Sequence, residues 1–188
     1  MREKNVSWKK RLIAQSDLIE LHEQLKKKDK KVVFTAGSWD LIHAGQCRYL
    51  ERARSHGDIL VVGVSSNAAI SRVKGPNKPI LDEKIRAEML TFLRSVDFVT
   101  VLPEPSCVPT LGLLKPDVFV TVKEEWTEDY KNSKEYKTVN KYGGEVLVVD
   151  RQSTSVSTTQ ILQRAVGGHL NDVLKDFMQY RKDPIKEK

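Results

Sequence analysis

Five short runs of near-continuous apolar residues set the strongest constraint on this chain: Lys31–Thr35, Asp58–Ser65, Phe98–Leu102, Asp117–Val122 and Glu145–Val149. A strand with one buried face alternates apolar and polar residues. A run such as Ile59-Leu60-Val61-Val62 must instead be covered on both sides. Segments of helical periodicity separate the runs. Ala44–His56 carries one, with Gly57 placed to cap its end, and a second sets Ile85, Met89, Phe92, Leu93 and Val96 on one face. A loop rich in Gly, Pro and Lys covers about 72–79, between the second run and that helix. Further helical patterns span Val108–Leu114 and Glu128–Tyr142, the latter ending at Gly143-Gly144, and a last helix begins near Ser157. This alternation specifies an α/β fold with a doubly wound, parallel five-stranded sheet and right-handed crossovers.

Helical additions flank the sheet. Ser16 is placed to cap a helix with Leu18, Leu21 and Leu25 on one face, and lysines at its C-terminal end suit the helix dipole. Beyond Gly167-Gly168 another helical pattern covers Leu170–Tyr180 before a charged end. The chain divides into a basic helical extension (1–30), the α/β domain (31–166) and a C-terminal helical tail (167–188). With 39% hydrophobic and 30% charged residues, the composition supports a folded core over disorder. No apolar run reaches the roughly 18 residues of a membrane helix. Lys9, Lys10 and Arg11 interrupt any signal-peptide stretch. Two cysteines, Cys47 and Cys107, are too few for a disulfide framework or a metal finger. A cytoplasmic protein without a membrane partner is the expectation. The net charge of +7 is concentrated in residues 1–31, which hold ten Lys/Arg against five Asp/Glu. Lys26-Lys27-Lys28 reads as a solvated helix end in preference to a polyanion site, and nucleic acid is disfavoured as the main partner.

In a doubly wound sheet the ligand crevice lies at the carboxyl ends of the strands, where strand order reverses. The loop after the first strand reads Gly37-Ser38-Trp39-Asp40-Leu41-Ile42-His43-Ala44-Gly45-Gln46. It contains neither the Gly-x-Gly-x-x-Gly dinucleotide fingerprint nor the Gly-x-x-x-x-Gly-Lys-Ser/Thr phosphate loop. His43 stands at a strand-to-helix junction, Gly45 lets a bulky anion approach the backbone, and Gln46 shares the opening helical face with His43. A histidine and an amide donor at a helix N-terminus suit a triphosphate. The alternative is that His43 only caps the helix. A metal pair of His43 and Cys47 lacks further ligands. After the last strand, Asp150–Thr159 offers a second anion site, built from amides and hydroxyls with charge from Arg151, or else an ordinary Ser/Thr cap.

Five pieces then stand in order along residues 31–166: Gly37 to Gly45; Arg72-Val73-Lys74-Gly75; Arg86 ahead of Leu93-Arg94-Ser95-Val96-Asp97; Gly143-Gly144-Glu145-Val146; and Val156-Ser157-Thr158-Thr159. This set resembles the cytidylyltransferase-like superfamily of nucleotidyltransferases, marked by a His-x-Gly-His motif. The resemblance is closest to the adenylyltransferase domain that acts on heptose 1-phosphate, and next to glycerol-3-phosphate cytidylyltransferase. It implies a Rossmann-like fold, a nucleoside triphosphate with Mg²⁺, ATP favoured over CTP, and no metal held by protein ligands alone. A phosphate oxygen of a sugar or polyol phosphate would attack the α-phosphorus in line and release pyrophosphate. A homodimer is a further implication.

By the same resemblance His43 donates to the phosphates and Lys74 supplies positive charge to them or to the incoming phosphate. Arg86, Ser157, Thr158 and Thr159 hold the β and γ groups, and Trp39 and Asp40 order the first loop. Gly37, Ser38, Gly45, Arg151 and Val156 complete the phosphate region. Two departures stand out. Gln46 occupies the place of the second histidine, and exchanging a charge-assisted bond for a neutral one costs on the order of 1 kcal/mol or more. Lys123-Glu124-Glu125-Trp126, in the base or acceptor region, lacks the relatives' glycine. The alternative to an enzyme is a non-catalytic nucleotide-binding or regulatory module in which Gln46 replaces that histidine.

Overall fold

The structure is a computed structural model that describes residues 7–123, 129–150 and 158–182. The five apolar runs form one sheet: β1 (Val32–Gly37), β2 (Ile59–Ser65), β3 (Phe98–Leu102), β4 (Val118–Val122) and β5 (Glu145–Val149). Strand order is β3-β2-β1-β4-β5, and every neighbouring pair is parallel. The direction of travel reverses between β1 and β4, so the crevice opens above those two strands.

Both faces are covered, as the unbroken apolar strands require. On one face Val33, Leu60, Val62, Val99 and Val120 pack against α2 (Ala44–Arg54) and α4 (Glu83–Thr91). On the other, Val32, Phe34, Val61 and Phe119 meet α1 (Leu18–Lys27), α5 (Val108–Leu114) and α6 (Lys134–Lys141). Leu18, Leu21 and Leu25 of α1 are buried here, as their spacing predicts. The amino ends of the strands are stapled by aspartates. Asp58 accepts from Lys31 N, Asp97 from Leu60 N and Asp117 from Val32 N, at 2.7–2.9 Å.

Residues 7–17 cover the exposed edge of β3, which would otherwise present unpaired backbone groups. Ile13 N donates to Val99 O at 2.9 Å, and the Gln15 amide donates to Thr100 and to Val101 O at 3.0 Å. Arg11 donates to the carbonyls of Thr91 and Val96. Arg11 thereby ties this segment to the end of α4 and the turn that leads into β3.

Several local expectations are corrected. Ser16 does not cap α1; it sits in a 3₁₀ turn and its hydroxyl donates to Asp17. Gly57 is not a left-handed cap but a close-packing position, because a Cβ there would meet Lys31 O at 2.7 Å. A helix absent from the pattern, α3 (Asn67–Lys74), is capped by Ser66 and carries Arg72 and Lys74 in its last turn. The Glu128–Tyr142 pattern resolves, within the described residues, into a 3₁₀ turn at Tyr130–Asn132 and α6, separated by the Ser133 cap. The last helix, α7 (Thr158–Lys182), runs unbroken through Gly167 and Gly168, since neither takes the left-handed conformation that ends a helix. Finally, α4 is rotated from its expected face: Arg86, Ala87 and Leu90 are buried, while Ile85, Met89 and Phe92 are exposed.

Tyr142, just after α6, has a buried hydroxyl with no hydrogen-bond partner among the described residues. Burial, then the charges of Cys107 and Asp117, push its ionisation well above the ordinary 10.0. Stability is therefore full below pH 10 and falls above it, where the unfolded chain releases a proton that the fold retains. Tyr142→Phe is expected to match or exceed the parent by up to about 1 kcal/mol at neutral pH and to lose less in alkali. Thermal unfolding at neutral and alkaline pH checks this; a clear loss at neutral pH would show that the hydroxyl is engaged.

Candidate active site

The loop after β1 is held in an uncommon backbone shape. Trp39 and Leu41 have φ of 53° and 49°, a left-handed conformation that costs a non-glycine residue on the order of 1 kcal/mol or more. Tertiary contacts compensate. The Trp39 ring is buried, lies 6.0 Å from the Tyr49 ring, and donates through Nε1 to Gly63 O at 2.9 Å. Gly37 is required beneath it, because a Cβ there would approach the indole to 3.0 Å. The Tyr49 hydroxyl donates to Val120 O at 3.0 Å and meets Thr35 Oγ1 at 2.7 Å. It thereby joins α2 to β1 and β4 at the point where strand order reverses.

Asp40 fastens two distant segments to the first loop. Its carboxylate is buried and accepts from Ile80 N at 2.8 Å and Leu81 N at 3.0 Å. Its own carbonyl accepts from the Thr158 hydroxyl at 2.6 Å. That last bond spans 118 positions in sequence and brings the start of α7 onto the first loop.

Arg86, on α4, is 1% exposed. Its Nε donates to Leu81 O at 2.9 Å, Nη1 to Ser38 O, and Nη2 to Asn67 Oδ1 at 2.9 Å. Burial lowers its affinity for the proton, and Asp40, Glu83 and Asp82 oppose that shift. The guanidinium lies inside the wall that supports the first loop.

At the head of α2, His43 and Gln46 form a reciprocal cap. Gly45 N donates to His43 Nδ1 at 3.2 Å, and His43 N donates to Gln46 Oε1 at 3.2 Å. Because Nδ1 accepts, a neutral imidazole carries its proton on Nε2, as a donor. The capping and phosphate-binding readings of His43 thus concern different ring nitrogens and are compatible. For Gln46 the carbonyl is engaged in the cap, and its amide group supplies the donors.

Lys74 reaches back from the end of α3, its Nζ donating to Ser38 Oγ at 2.8 Å. Beside this pair opens a pocket of about 380 Å³ above β1, β2 and β4, lined in part by Ser38, Lys74, Thr121 and Glu135. Its volume falls in the range of small-molecule sites. Glu135, on α6, escapes a reading of the strand loops because it arrives from a helix distant in sequence.

The structure therefore gathers Gly37, Ser38, Trp39, Asp40, His43, Gly45, Gln46, Lys74 and Thr158 around the carboxyl end of β1, with Arg86 behind them. Thr159 is exposed on α7, and Lys123 is exposed at the end of β4. Glu124, Glu125, Trp126, Arg151, Val156 and Ser157 lie outside the described residues. Two helix starts, those of α2 and α7, meet at one loop. Helix N-termini present unpaired N–H groups and partial positive charge, so their convergence favours an anion.

Comparison with known proteins identifies the family. A family model described as cytidylyltransferase-like matches residues 34–164. The chain is 38% identical over 139 residues to the bifunctional protein HldE of Syntrophotalea carbinolica, covering 74% of this chain and 28% of that protein. It is 44% identical over 103 residues to HldE of Helicobacter pylori, covering 55% and 22% respectively. It thus spans about a quarter of the length of these curated relatives. Among solved structures, a lipopolysaccharide core biosynthesis protein from Thermoplasma volcanium matches with a TM-score of 0.53 at 27% identity, covering 65% of this chain and 96% of that one.

Proposed function

This chain belongs to the cytidylyltransferase-like family of nucleotidyltransferases, and on that premise we propose that it transfers a nucleoside monophosphate from a triphosphate to a sugar or polyol phosphate, releasing pyrophosphate. AMP is favoured over CMP by the resemblance to the heptose 1-phosphate adenylyltransferase domain and by the identity to HldE proteins. The observation that carries the reading is the Thr158–Asp40 bond, which brings the start of α7 onto the loop that leads through His43 into α2.

The chemistry asks little covalent work of the protein. An acceptor phosphate oxygen attacks the α-phosphorus in line and pyrophosphate leaves. The chain's residues position the groups and stabilise the developing charge. His43 Nε2 donates to the phosphates, joined by the Gln46 amide and the N–H groups at the heads of α2 and α7. Lys74 places positive charge between the triphosphate and the acceptor phosphate. Asp40 and Arg86 act as positioning residues that hold the loop in its left-handed shape. Arg151, Ser157 and Thr159 are further phosphate contacts in this proposal, and Lys123 to Trp126 border the base or acceptor.

Among the described residues no three His, Cys, Asp or Glu side chains converge as a metal cage. Mg²⁺ enters as part of the substrate, a magnesium–triphosphate complex, which is its usual mode with phosphates. Among the described residues no helix is long and apolar enough to cross a membrane. A cytoplasmic setting and a homodimer belong to the proposal.

One observation favours a second reading. Gln46 already has a structural occupation in the α2 cap, so the protein could instead bind nucleotide without turnover. Pyrophosphate release with Mg²⁺, comparing ATP and CTP across sugar and polyol phosphates, separates the two. Turnover with one pair supports the transferase. Tight triphosphate binding with silence across the panel supports the module.

A further inference from the structure

We propose that Glu135 is the residue that recognises the hydroxyl groups of the acceptor, so that the second substrate is a polyhydroxylated phosphate held between Lys74 and Glu135. The inference rests on the transferase reading for its meaning but on the pocket for its evidence. Among the described residues, the 380 Å³ pocket is lined by one cationic and one anionic side chain, Lys74 on α3 and Glu135 on α6. A phosphate monoester is drawn to the ammonium and repelled by the carboxylate, so the pocket imposes a direction on its ligand. The phosphate lies at Lys74, next to Ser38 and the first loop, where the reacting oxygen is needed. The remainder of the molecule points to Glu135.

Glu135 is held ready for that part. Val108 N donates to Ser106 Oγ at 3.2 Å, and Ser106 Oγ donates to Glu135 Oε1 at 2.9 Å. The carboxylate also sits in the first turn of α6, where the helix dipole favours negative charge. With Oε1 engaged by one donor, both oxygens keep lone pairs for donors from a ligand. Hydroxyl groups meet that demand. A quaternary or primary ammonium would meet it too, but such cations are commonly enclosed by aromatic faces. Among the described residues Phe119 is the sole aromatic side chain lining the pocket, 4% exposed, whereas Ser65 adds a hydroxyl that can pair with a polyol.

Calorimetric binding to the full chain tests this without relying on turnover, using glycerol 3-phosphate, a hexose 1-phosphate and methyl phosphate as probes. Glu135→Ala is expected to weaken the two hydroxylated probes by on the order of tenfold or more, the scale of a lost hydrogen bond to a charged group. Methyl phosphate, which has no hydroxyl to lose, keeps its affinity. Glu135→Gln, retaining an accepting oxygen, falls between for polyols. Equal affinity of parent and Glu135→Ala for the hydroxylated probes, or no binding of either by the parent, overturns the assignment. So does tighter Glu135-dependent binding of phosphocholine than of the polyols. Glu135-dependent binding without pyrophosphate release would overturn the transferase reading and leave the pocket assignment standing. Release that is indifferent to Glu135→Ala would do the reverse.

Discussion

His43→Ala is expected to lower kcat/KM for nucleotidyl transfer by on the order of 10²–10³-fold, the usual loss when one preorganised donor to a developing oxyanion is removed. The same change removes the α2 cap and should cost about 1 kcal/mol of stability. The two roles separate because the cap uses Nδ1, which accepts from Gly45 N, and the proposed phosphate contact uses Nε2. His43→Asn provides the control. Asparagine is among the best N-cap residues, so its oxygen can replace Nδ1, but its short side chain has no donor where Nε2 stood. Stability should return with asparagine while activity does not. Recovery of activity by asparagine would mean that the cap is the whole contribution of His43, and unimpaired turnover in His43→Ala would remove it from the mechanism.

Arg86→Ala is expected to destabilise the fold by about 3–5 kcal/mol, because it strands three acceptors in a buried wall. Leu81 O, Ser38 O and Asn67 Oδ1 each lose a donor at once, and the buried Asp40 carboxylate loses a favourable charge. For a protein of this size the melting temperature should fall by on the order of 10 °C. Arg86→Lys should recover only part of the loss, since one ammonium cannot reproduce a planar fork aimed at three separated acceptors. Arg94 offers the contrast. It pairs with Glu51 at 3.0 Å with its side chain 88% exposed, where solvent screens the pair, so Arg94→Ala should leave the melting temperature almost unchanged. Similar losses at the two arginines would show that Arg86 is not the support described.

The architecture was legible because its causes are local. Runs covered on both faces need no partner to be recognised as buried strands, and the ends of β3 and β5 match their apolar runs. Misreadings arose where a neighbour decides. α3 was hidden because its apolar content is short and its Gly-Pro flank suggests a loop. The Ile85/Met89/Phe92 face of α4 has good helical spacing, yet the helix turns Arg86 inward because Ser38, Leu81 and Asn67 wait there for its donors. Gly167-Gly168 looks like a stop signal, but a glycine ends a helix only when it adopts the left-handed conformation. Gln46 shows the intermediate case: its departure from the motif was plain, while its bond to His43 N was visible only in space.

From sequence alone came the five strands, most of the helices between them, the candidate loop between β1 and α2, and the family, since periodicity, turn chemistry and motif spacing act over a few residues. Tertiary structure alone decided that Thr158 would close on Asp40, that Arg86 would support the loop from inside, and that Glu135 would line one pocket with Lys74. Those contacts depend on which strands lie side by side after the reversal at β1 and β4, and on buried polar groups finding partners wherever the packed chain supplies them.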